Sequence, residues 1–422
     1  MKVLWFSNSP GNAKEHLGDK FVGSSWIPAL DKRMQGKVEL HVAFYYSKSL
    51  ESFKVGETTY YPIGNKNWKL RALLEILTNK VIDTQDLYRY LEIINLVKPD
   101  IIHIHGTENP FGCIIPYTSI PVVISIQGYL TVISHKYQNN FTKRNLKVRN
   151  FDLNRSVKAI LLSKSFYRSK KALGKRMNIE RKNLLSSCFI IGRTDWDRRV
   201  TSILAPNSKY YHCDEIIRDI FFKTEWKGNN NSKIVIHSTI GNKPYKGLET
   251  VCEALHELNK LSEVQIEWQI AGIDQTDLIV KVIKRKLKKK YPTTGLKYLG
   301  QLNAQQLALN MSNADLFVSP SHIENSSNSL CEAMVMGMPC IATYAGGTGS
   351  MLTDGVEGIL IQDGDPWVLA GSILEIYRNP QLAKKFSYNS RKRAFNRHNP
   401  DFIVNELIKY YEEILHEIKE KI

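Results

Sequence analysis

The chain has 422 residues, which is too long for one ordinary core and suits two or three domains. Its composition is that of a globular protein, and no apolar run reaches the roughly 20 residues needed to span a bilayer. Six scattered cysteines without a C-x-x-C pair predict reduced thiols rather than a disulfide framework or a zinc site, and the formal net charge of +17 suits an anionic partner.

The first half of the chain alternates strand and helix patterns. The N-terminal KVLWFSN predicts a buried strand and lacks the apolar length and cleavage site of a secretion signal, so we expect a cytoplasmic protein. A helix follows over SSWIPALDKRM, with Ser24 or Ser25 as its N-cap. Further segments are the strand VELHVAFYY, the helix DLYRYLEIINLVK, and the strands DIIHIHG and IPVVISIQG. This alternation predicts a mostly parallel sheet covered on both faces.

A polar stretch, KGNNNSK, predicts a joint between two domains, and the alternation then restarts. The strands KIVIHST, VQIEWQIAG, GLKYLGQ, DLFVSP and PCIATY are separated by helices, and an amphipathic helix ends the chain. We therefore predict two Rossmann-like, doubly wound α/β domains over residues 1–222 and 223–400 that face each other across a cleft. A C-terminal helix over 401–422 would pack on the first domain. Ligands of such sheets lie beyond the C-terminal ends of the strands.

The segment SHIENSSNSLCEAM lies at such a strand end. A polar turn at the start of a helix offers unpaired N–H groups and a partial positive charge, which suit a phosphate. Glu332, inside the first turns of that helix, could accept hydrogen bonds from a ribose diol, and Glu324 would face the group on the other side of the phosphate. Ser329 and Glu332 also match a capping box. A helix that starts at Ser326 or Ser327 has a more ordinary length.

The stretch from 295 to 378 resembles the C-terminal half of the retaining GT-B glycosyltransferases of family 4. Their signature is a Glu, seven residues, a second Glu followed by Ala-Met, and Gly-x-Pro; here it reads Glu324, Glu332-Ala333-Met334 and Gly337-Met338-Pro339. The segments YKGLETVCEAL, YLGQL, YAGGTGS and DGVEGILIQDGDP follow the family order. The N-terminal half is similar more loosely, through KPDIIHIHGTE, VVISIQG and IIGRTDWDRRV.

The resemblance implies the GT-B fold and a role for individual residues. Lys246 would stabilise the diphosphate as it leaves. Glu332 would hold the ribose, and Glu324 would orient the transferred sugar. The remaining donor-binding residues would be Gly23, Asn325, Ser326, Ser327, Asn328 and Ser329. On the first domain, Ser24 would approach the acceptor, and Gln127 stands where relatives often have His.

The sequence departs from the family at three places. Gly241 and Ile240 replace a common Arg, so a second phosphate-binding cation would have to come from elsewhere, for example Lys243. Side-chain donors over 325–327 replace a glycine-rich backbone. Gly349 and Ser350 lie in the region where relatives often have a Glu.

Two D-x-D sequences match the diphosphate–metal motif of a different glycosyltransferase architecture. They are Asp195-Trp196-Asp197 and Asp363-Gly364-Asp365. We expect structural roles for both, as partners of Arg198 and Arg199 and as a helix cap. The sequence thus predicts no metal and no cofactor besides the donor, for which a UDP-sugar is favoured over a GDP-sugar.

Two histidines alternate on the strand DIIHIHG. We expect His103 to point inward and to be satisfied by hydrogen bonds. His105 lies at the C-terminal end of the strand, where it either lines the cleft on the acceptor side or is buried.

The basic residues are clustered. Between Phe141 and Leu185 the chain has fourteen Lys or Arg and two acids. Apolar residues such as Leu146 and Phe166 alternate with these cations, as is typical of docking on anionic lipid, although the cations could simply cover the first domain's core. The cations assigned to this membrane patch are Lys143, Arg144, Lys147, Arg149, Arg155 and Lys158. A second run, KVIKRKLKKK at 281–290, is more typical of a solvated helix face.

Together with these patterns, the resemblance implies a metal-independent, retaining hexosyltransferase-type enzyme. It would move a sugar from a nucleotide sugar to a lipid-linked glycan during capsule or lipopolysaccharide synthesis, at the cytoplasmic face of the membrane. The resemblance implies front-face displacement, with the leaving phosphate taking the acceptor proton. One alternative is a nucleotide-sugar 2-epimerase of the same architecture, which needs no acceptor. Another is a basic nucleic-acid-binding protein, although no recognised nucleic-acid module is found.

Overall fold

The computed structural model describes residues 1–14, 16–17, 26–46, 48, 50–64, 84–137, 141–147, 166–228, 233–261 and 265–420. The strands are β1 (Lys2–Ser7), β2 (Glu39–Tyr46), β3 (Phe53–Val55), β4 (Thr58–Gly64), β5 (Ile101–His105), β6 (Val122–Ser125), β7 (Phe189–Gly192), β8 (Lys209–His212), β9 (Ile234–Thr239), β10 (Ile266–Ala271), β11 (Leu296–Gly300), β12 (Leu316–Ser319), β13 (Cys340–Thr343) and β14 (Gly358–Ile361). The α-helices are α1 (Ile27–Met34), α2 (Thr84–Val97), α3 (Leu130–Lys136), α4 (Lys143–Leu146), α5 (Phe166–Leu185), α6 (Asp195–Leu204), α7 (Asp219–Lys223), α8 (Leu248–Leu258), α9 (Leu278–Leu287), α10 (Ala304–Ser312), α11 (Asn328–Met336), α12 (Thr348–Met351), α13 (Pro366–Arg378), α14 (Pro380–Arg397) and α15 (Pro400–Glu420).

The chain forms two compact units, each built on a mostly parallel sheet. Unit 1 comprises Met1–Thr131, Lys175–Ile217 and His398–Ile422, and unit 2 comprises Val132–Gly174 and Arg218–Arg397. Both have the predicted Rossmann-like α/β architecture, which is thereby confirmed. Within the described part of the chain, no helix is both long and apolar enough to cross a membrane.

The sheet of unit 1 has the strand order β3-β4-β2-β1-β5-β6-β7-β8. Its neighbouring strands are parallel except for β3 and β4, which pair antiparallel at one edge. Strand β5 is buried along its whole length because helices cover both faces of the sheet. The C-terminal helix α15 packs on this unit, where the Tyr411 hydroxyl accepts a hydrogen bond from the Trp5 indole N–H at 3.2 Å.

The sheet of unit 2 has the order β11-β10-β9-β12-β13-β14, and all its strands are parallel. In chain order this is 3-2-1-4-5-6, the order of doubly wound dinucleotide-binding sheets. The order reverses between β9 and β12, and ligands of such sheets bind beyond the strand ends at this switch point. The loops that meet there are named the β9 loop (residues 240–247) and the β12 loop (residues 320–327).

Residues 132–174 depart from the predicted domain boundaries, since they group with unit 2 rather than with the first domain. The physical reason is apolar burial. Phe141, Leu146 and Phe166 are at most 6% exposed and pack in the unit 2 core, where α4, which carries Leu146, contacts α9. The chain therefore leaves unit 1 within α3, contributes core side chains to unit 2, and returns within α5.

Candidate functional site

The two loops at the switch point of unit 2 are joined through their backbones. The His322 N–H donates to the Tyr245 carbonyl at 2.9 Å. Gly247 has a φ of +73°, and a Cβ at this position would overlap the carbonyl oxygen of Pro320. Because a side chain would be excluded both by the left-handed backbone and by this oxygen, glycine is required where the β9 loop touches the β12 loop.

Lys246 and Glu324 meet across these loops, and their assigned roles toward the donor stay predictions. The Lys246 Nζ lies 2.5 Å from Glu324 Oε1, and the two side chains are 26% and 14% exposed. Burial opposes a charged lysine, but the neighbouring Glu324 carboxylate more than compensates and raises the pKa of Lys246. The β9 loop thus holds an ammonium group at the C-terminal edge of the sheet.

The loop after β13 fixes the backbone of Glu324. The Gly347 N–H donates to the Glu324 carbonyl at 3.0 Å, and a Cβ on Gly346, whose φ is +60°, would overlap that same oxygen. The Thr343 hydroxyl donates to the carbonyl of Ser321. The YAGGTGS segment therefore holds the main chain on which the Glu324 side chain is mounted.

Helix α11 begins where the favoured prediction placed it. Ser327 is the N-cap, and Gly337, with a φ of +79°, ends the helix. The Ser327 hydroxyl does not cap the helix but lies 3.2 Å from that of Ser329. The side-chain oxygen of Asn328 is buried and has no hydrogen-bond partner among the described residues. The N–H groups of the first turn and several polar side chains thus follow directly after Glu324.

Glu332 is buried within α11 and pairs with a residue that sequence reasoning missed. Its Oε1 accepts hydrogen bonds from Arg218 at 3.0 Å and 2.7 Å. Burial raises the pKa of Glu332, and the Arg218 guanidinium partly counteracts that effect. This ion pair excludes the alternative capping box with Ser329, because the helix starts at Ser327 and the carboxylate points to Arg218.

Within the β12 loop, His322 is held between two carboxylates. Its Nε2 lies 2.8 Å from Glu249 Oε1, and its Nδ1 bonds to Asp363. Lys136 also reaches Asp363, at 3.4 Å. Burial alone would lower the pKa of His322, but the hydrogen bonds to Asp363 and Glu249 raise it to about 9. His322 is therefore an imidazolium at neutral pH and donates both of its ring N–H groups.

A second polar cluster lies at the switch point of unit 1, between β1 and β5. The Asn8 amide donates to Glu108 Oε2 at 3.3 Å, and the Asn109 amide donates to Asn8. Gly106, with a φ of +91°, leaves room for the Glu108 carboxylate and the Gln127 amide, which both lie against it. Burial raises the pKa of Glu108. The buried Nε2 of Gln127 has no hydrogen-bond partner among the described residues.

The two strand histidines of unit 1 differ in their partners. His103 bonds to the hydroxyls of Tyr411 and Ser125, so the predicted inward, satisfied histidine is confirmed. His105 is 1% exposed, packs against Trp5 and Trp26, and has no hydrogen-bond partner for either ring nitrogen within the described chain. It lines a small cavity inside unit 1, so of the two predicted environments the structure shows the buried one.

Three further residues of the first domain were predicted to belong to the site. Gly23 and Ser24 lie outside the described residues, and their assignment to the donor and acceptor stays a prediction. Gln127 is described in unit 1, and its assigned role also stays a prediction.

Asp365 and Asp195 have the roles that were expected, as a helix cap and as a partner of Arg198, whereas Asp197 has other partners than the predicted arginines. Asp365 is the N-cap of α13 and accepts from two main-chain N–H groups at 3.1 Å and 3.0 Å. Asp195 pairs with Arg198 at 3.2 Å. The buried Asp197 accepts from the Arg193 N–H at 2.8 Å and from the Tyr210 hydroxyl at 2.6 Å.

The predicted membrane patch is corrected in its apolar part. Phe141, Leu146 and Phe166 are core residues of unit 2 and are not available to lipid, because burying them in that core is more favourable than exposing them. Lys143, Arg144 and Lys147 are exposed. Arg149, Arg155 and Lys158 lie outside the described residues.

Known proteins similar to this chain include glycosyltransferases. Residues 219–393 match the family model described as "Glycosyl transferases group 1". The chain is 29% identical over 109 residues to the capsular polysaccharide biosynthesis glycosyltransferase CapM of Staphylococcus aureus, which is 26% of this chain and 29% of that protein. The chain spans half or less of the length of the curated relatives it matches.

Solved structures extend the likeness of fold to the whole chain. Sucrose-phosphate synthase from Thermosynechococcus elongatus superposes with a TM-score of 0.71 at 15% identity, over 98% of this chain and 99% of that one. Anabaena HepE in complex with UDP-glucose gives a TM-score of 0.61 at 16% identity, over 98% and 100%. The fold is thus that of the GT-B glycosyltransferases. The family match over residues 219–393 shows that this part of the chain, which lies in unit 2, is similar to the glycosyl transferases of group 1.

Proposed function

We propose that the chain is a retaining, metal-independent glycosyltransferase that moves a sugar from a nucleotide sugar to a growing surface glycan. The observation that carries this proposal is the Lys246–Glu324 pair at the switch point of unit 2. A cation, a carboxylate and the N-terminus of α11 lie together where doubly wound sheets bind phosphorylated ligands.

Each of these groups suits one part of a nucleotide sugar. Lys246 and the N–H groups that start α11 bind the diphosphate and stabilise the charge that develops as it leaves. Glu324 then accepts hydrogen bonds from hydroxyls of the transferred sugar. Glu332, neutralised by Arg218, lies one turn further into α11 and binds the ribose. In unit 1, the Gln127 Nε2 has no hydrogen-bond partner among the described residues and is separately proposed to bind a sugar hydroxyl.

The transfer is proposed to proceed with retention. The acceptor hydroxyl attacks the anomeric carbon from the side on which the diphosphate leaves, the bond from that carbon to the phosphate oxygen breaks, and the proton passes to the leaving phosphate. Glu324 is not assigned as a covalent nucleophile, because its carboxylate is bonded to Lys246. Metal independence is proposed because Lys246 and the helix terminus supply the positive charge that a metal would otherwise supply.

The substrates are proposed from the relatives. HepE is seen with UDP-glucose, which supports a UDP-sugar donor here. CapM acts in capsular polysaccharide biosynthesis, which supports a surface glycan as acceptor. A lipid-linked acceptor would place the enzyme at the cytoplasmic face of the membrane.

A thermal-shift panel of UDP-, GDP- and ADP-sugars, with and without EDTA, tests the donor class. We expect UDP-sugars to stabilise the protein by roughly 2.7 kcal/mol at a hundred times their Kd, with no change on adding EDTA. Stabilisation that EDTA abolishes would refute the metal-free proposal, and the absence of stabilisation by any nucleotide sugar would refute the activity.

Product analysis by NMR then tests the reaction itself. Transfer with the anomeric configuration of the donor supports retention, whereas an inverted product contradicts it. A C2-epimerised nucleotide sugar formed without any acceptor would show the epimerase reaction instead.

A further inference from the structure

Two basic segments that are far apart in the sequence meet on unit 2. Helix α4 packs on α9, where Leu146 is fully buried and Phe141 is 6% exposed. The Lys286 ammonium lies 4.8 Å from the centre of the Phe141 ring. The cations next to α4 and those of the 281–290 run therefore belong to one surface, which we name the lysine face.

The apolar and charged sides of these helices are cleanly separated. The inward side of α9 is apolar and buried, and it includes Ile279, Val282 and Ile283. Its outward side and the turn that follows carry only cations. The exposed cations of the lysine face are Lys143, Arg144, Lys147, Lys281, Lys284, Arg285, Lys288, Lys289 and Lys290.

Few acids neutralise this face. Among the described residues, none lies within ion-pair distance of Lys143, Arg144, Lys147, Arg285 or the lysines of 288–290. On the adjoining helix α8, Glu257 pairs with Lys260 at 2.7 Å, and Glu253 is half-buried. At the start of α9, Asp277 accepts hydrogen bonds from the Asn242 amide and from a main-chain N–H. The face consequently keeps a surplus of positive charge.

The chemistry of the face suits a diffuse anionic surface. Most of its cations are lysines, which act as mobile point charges rather than as the planar forks that arginine offers to individual phosphates. The rings near these cations, Phe141, Tyr167 and Tyr291, lie beneath ammonium groups instead of forming a stacking platform for bases. Among the described residues near these cations, the apolar side chains of Phe141, Leu146 and Phe166 are buried in the core, and the Tyr167 ring is 37% exposed beneath Lys147.

We propose that the lysine face docks unit 2 on an anionic lipid bilayer through charge alone, without inserting apolar side chains. This docking rests on the membrane association in the proposed function, to which it adds the surface that binds and the electrostatic attraction that holds it. Its test requires no sugar transfer, so it can fail while the proposed activity stands.

The test is co-sedimentation of the full chain with vesicles of phosphatidylcholine, alone or mixed with phosphatidylglycerol. One variant combines Lys143→Gln, Arg144→Gln and Lys147→Gln, and a second combines Arg285→Gln, Lys288→Gln and Lys289→Gln. The matched control combines Arg378→Gln, Lys384→Gln and Lys392→Gln, three exposed cations elsewhere on unit 2. All three variants lose the same net charge.

We expect binding only to the anionic vesicles and its release when salt rises from about 0.05 M to about 0.5 M. Each triple variant of the lysine face should lower partitioning on the order of a hundredfold, since one near-surface cation contributes about a fivefold effect. The control should change it little. An equal loss in the control, a loss in only one of the two face variants, or salt-resistant binding would overturn the proposal. So would a wild-type chain that ignores vesicles and binds duplex nucleic acid through the same cations.

Discussion

The two switch points of this molecule have the same strand order around the reversal but differ in their charged groups. Each also holds a buried polar atom without a partner among the described residues, namely Asn328 Oδ1 in unit 2 and Gln127 Nε2 in unit 1. In unit 2 the charged groups are paired: Lys246 with Glu324, Arg218 with Glu332, and His322 with two carboxylates. In unit 1 the Gln127 amide nitrogen is buried next to Gly106 without a hydrogen-bond partner among the described residues.

This difference suits the two switch points to different tasks. Paired charges on interlocked loops keep their positions before a ligand arrives, so they suit the stabilisation of a developing charge. A buried polar group without a partner costs stability and needs another explanation, of which an absent ligand is one. We therefore expect substitutions in unit 2 to affect both folding and chemistry, and substitution of Gln127 to affect chemistry alone.

The largest effect is expected from Lys246→Met. Loss of the ammonium group removes the charge that stabilises the leaving diphosphate, so kcat/KM for transfer should fall about 10²- to 10³-fold. Steady-state kinetics with the donor identified by thermal shift measures this. Lys297→Met, an exposed lysine on β11 of the same unit, is the matched control and should have a much smaller effect. Equal losses in both variants would contradict a specific role for Lys246.

Breaking the buried ion pair of α11 should destabilise unit 2. Arg218→Met leaves the Glu332 carboxylate buried without its counterion, and we expect a loss of about 3 kcal/mol in the free energy of unfolding by urea. The double variant with Glu332→Gln should recover much of this loss, because no buried charge then remains. If the losses in the free energy of unfolding simply add in the double variant, the Arg218–Glu332 ion pair does not account for the loss caused by Arg218→Met.

His322 makes the stability of unit 2 depend on pH. Because its pKa is raised from 6.5 to about 9 by the two carboxylates, its contribution is complete below pH 6.5 and disappears as the pH rises through 9. At pH 7 it amounts to about 2.5 kcal/mol. Urea unfolding between pH 6.5 and 9.5 should show this decline in the wild type and not in His322→Gln. The exposed His416→Gln is the control and should keep the wild-type decline.

Two glycine substitutions compare the loops of the two units directly. Gly247→Ala drives a methyl group into the Pro320 carbonyl, and a loss of about 2 kcal/mol or more is expected because main chain has to move. Gly106→Ala meets chiefly the Glu108 side chain, which can turn away, so about 1 kcal/mol is expected. Thermal unfolding of both variants measures these losses of stability. A larger loss for Gly106→Ala than for Gly247→Ala would contradict the expected order.

The smallest effect on stability is expected from Gln127→Met. The amide nitrogen has no hydrogen-bond partner among the described residues, so the free energy of unfolding should change by about 0.5 kcal/mol or less. Transfer should nevertheless become slower, because the group proposed to bind a sugar hydroxyl is gone. A destabilised variant with unchanged transfer would make Gln127 a structural residue.

Local patterns in the sequence predicted much of this architecture. Alternating strands and helices predicted the parallel sheets, and the spacing of Glu324 and Glu332 placed the start of α11 at a strand end. The resemblance, through Lys246-Gly247 in YKGLETVCEAL, implied which loop approaches this helix start, and both loops do follow strands that flank the reversal of strand order.

The remaining features depend on pairs that no local pattern marks. Arg218 lies 114 positions from Glu332, and His322 lies 73 positions from Glu249. Neither pair has a periodicity that would single it out before the sheet is assembled. The burial of Phe141 and Leu146 in unit 2 was missed for the same reason. An apolar stripe among cations has the same sequence pattern whether it packs on another helix or on lipid.

The central claim is that the diphosphate of the donor binds at Lys246, and calorimetric titration with UDP tests it most directly because no acceptor is needed. We expect one UDP per chain for the wild type and on the order of a hundredfold weaker binding for Lys246→Met. Glu324→Gln should bind UDP at least as tightly as the wild type, since the carboxylate that competes for Lys246 is removed. Unchanged UDP affinity in Lys246→Met would contradict the account.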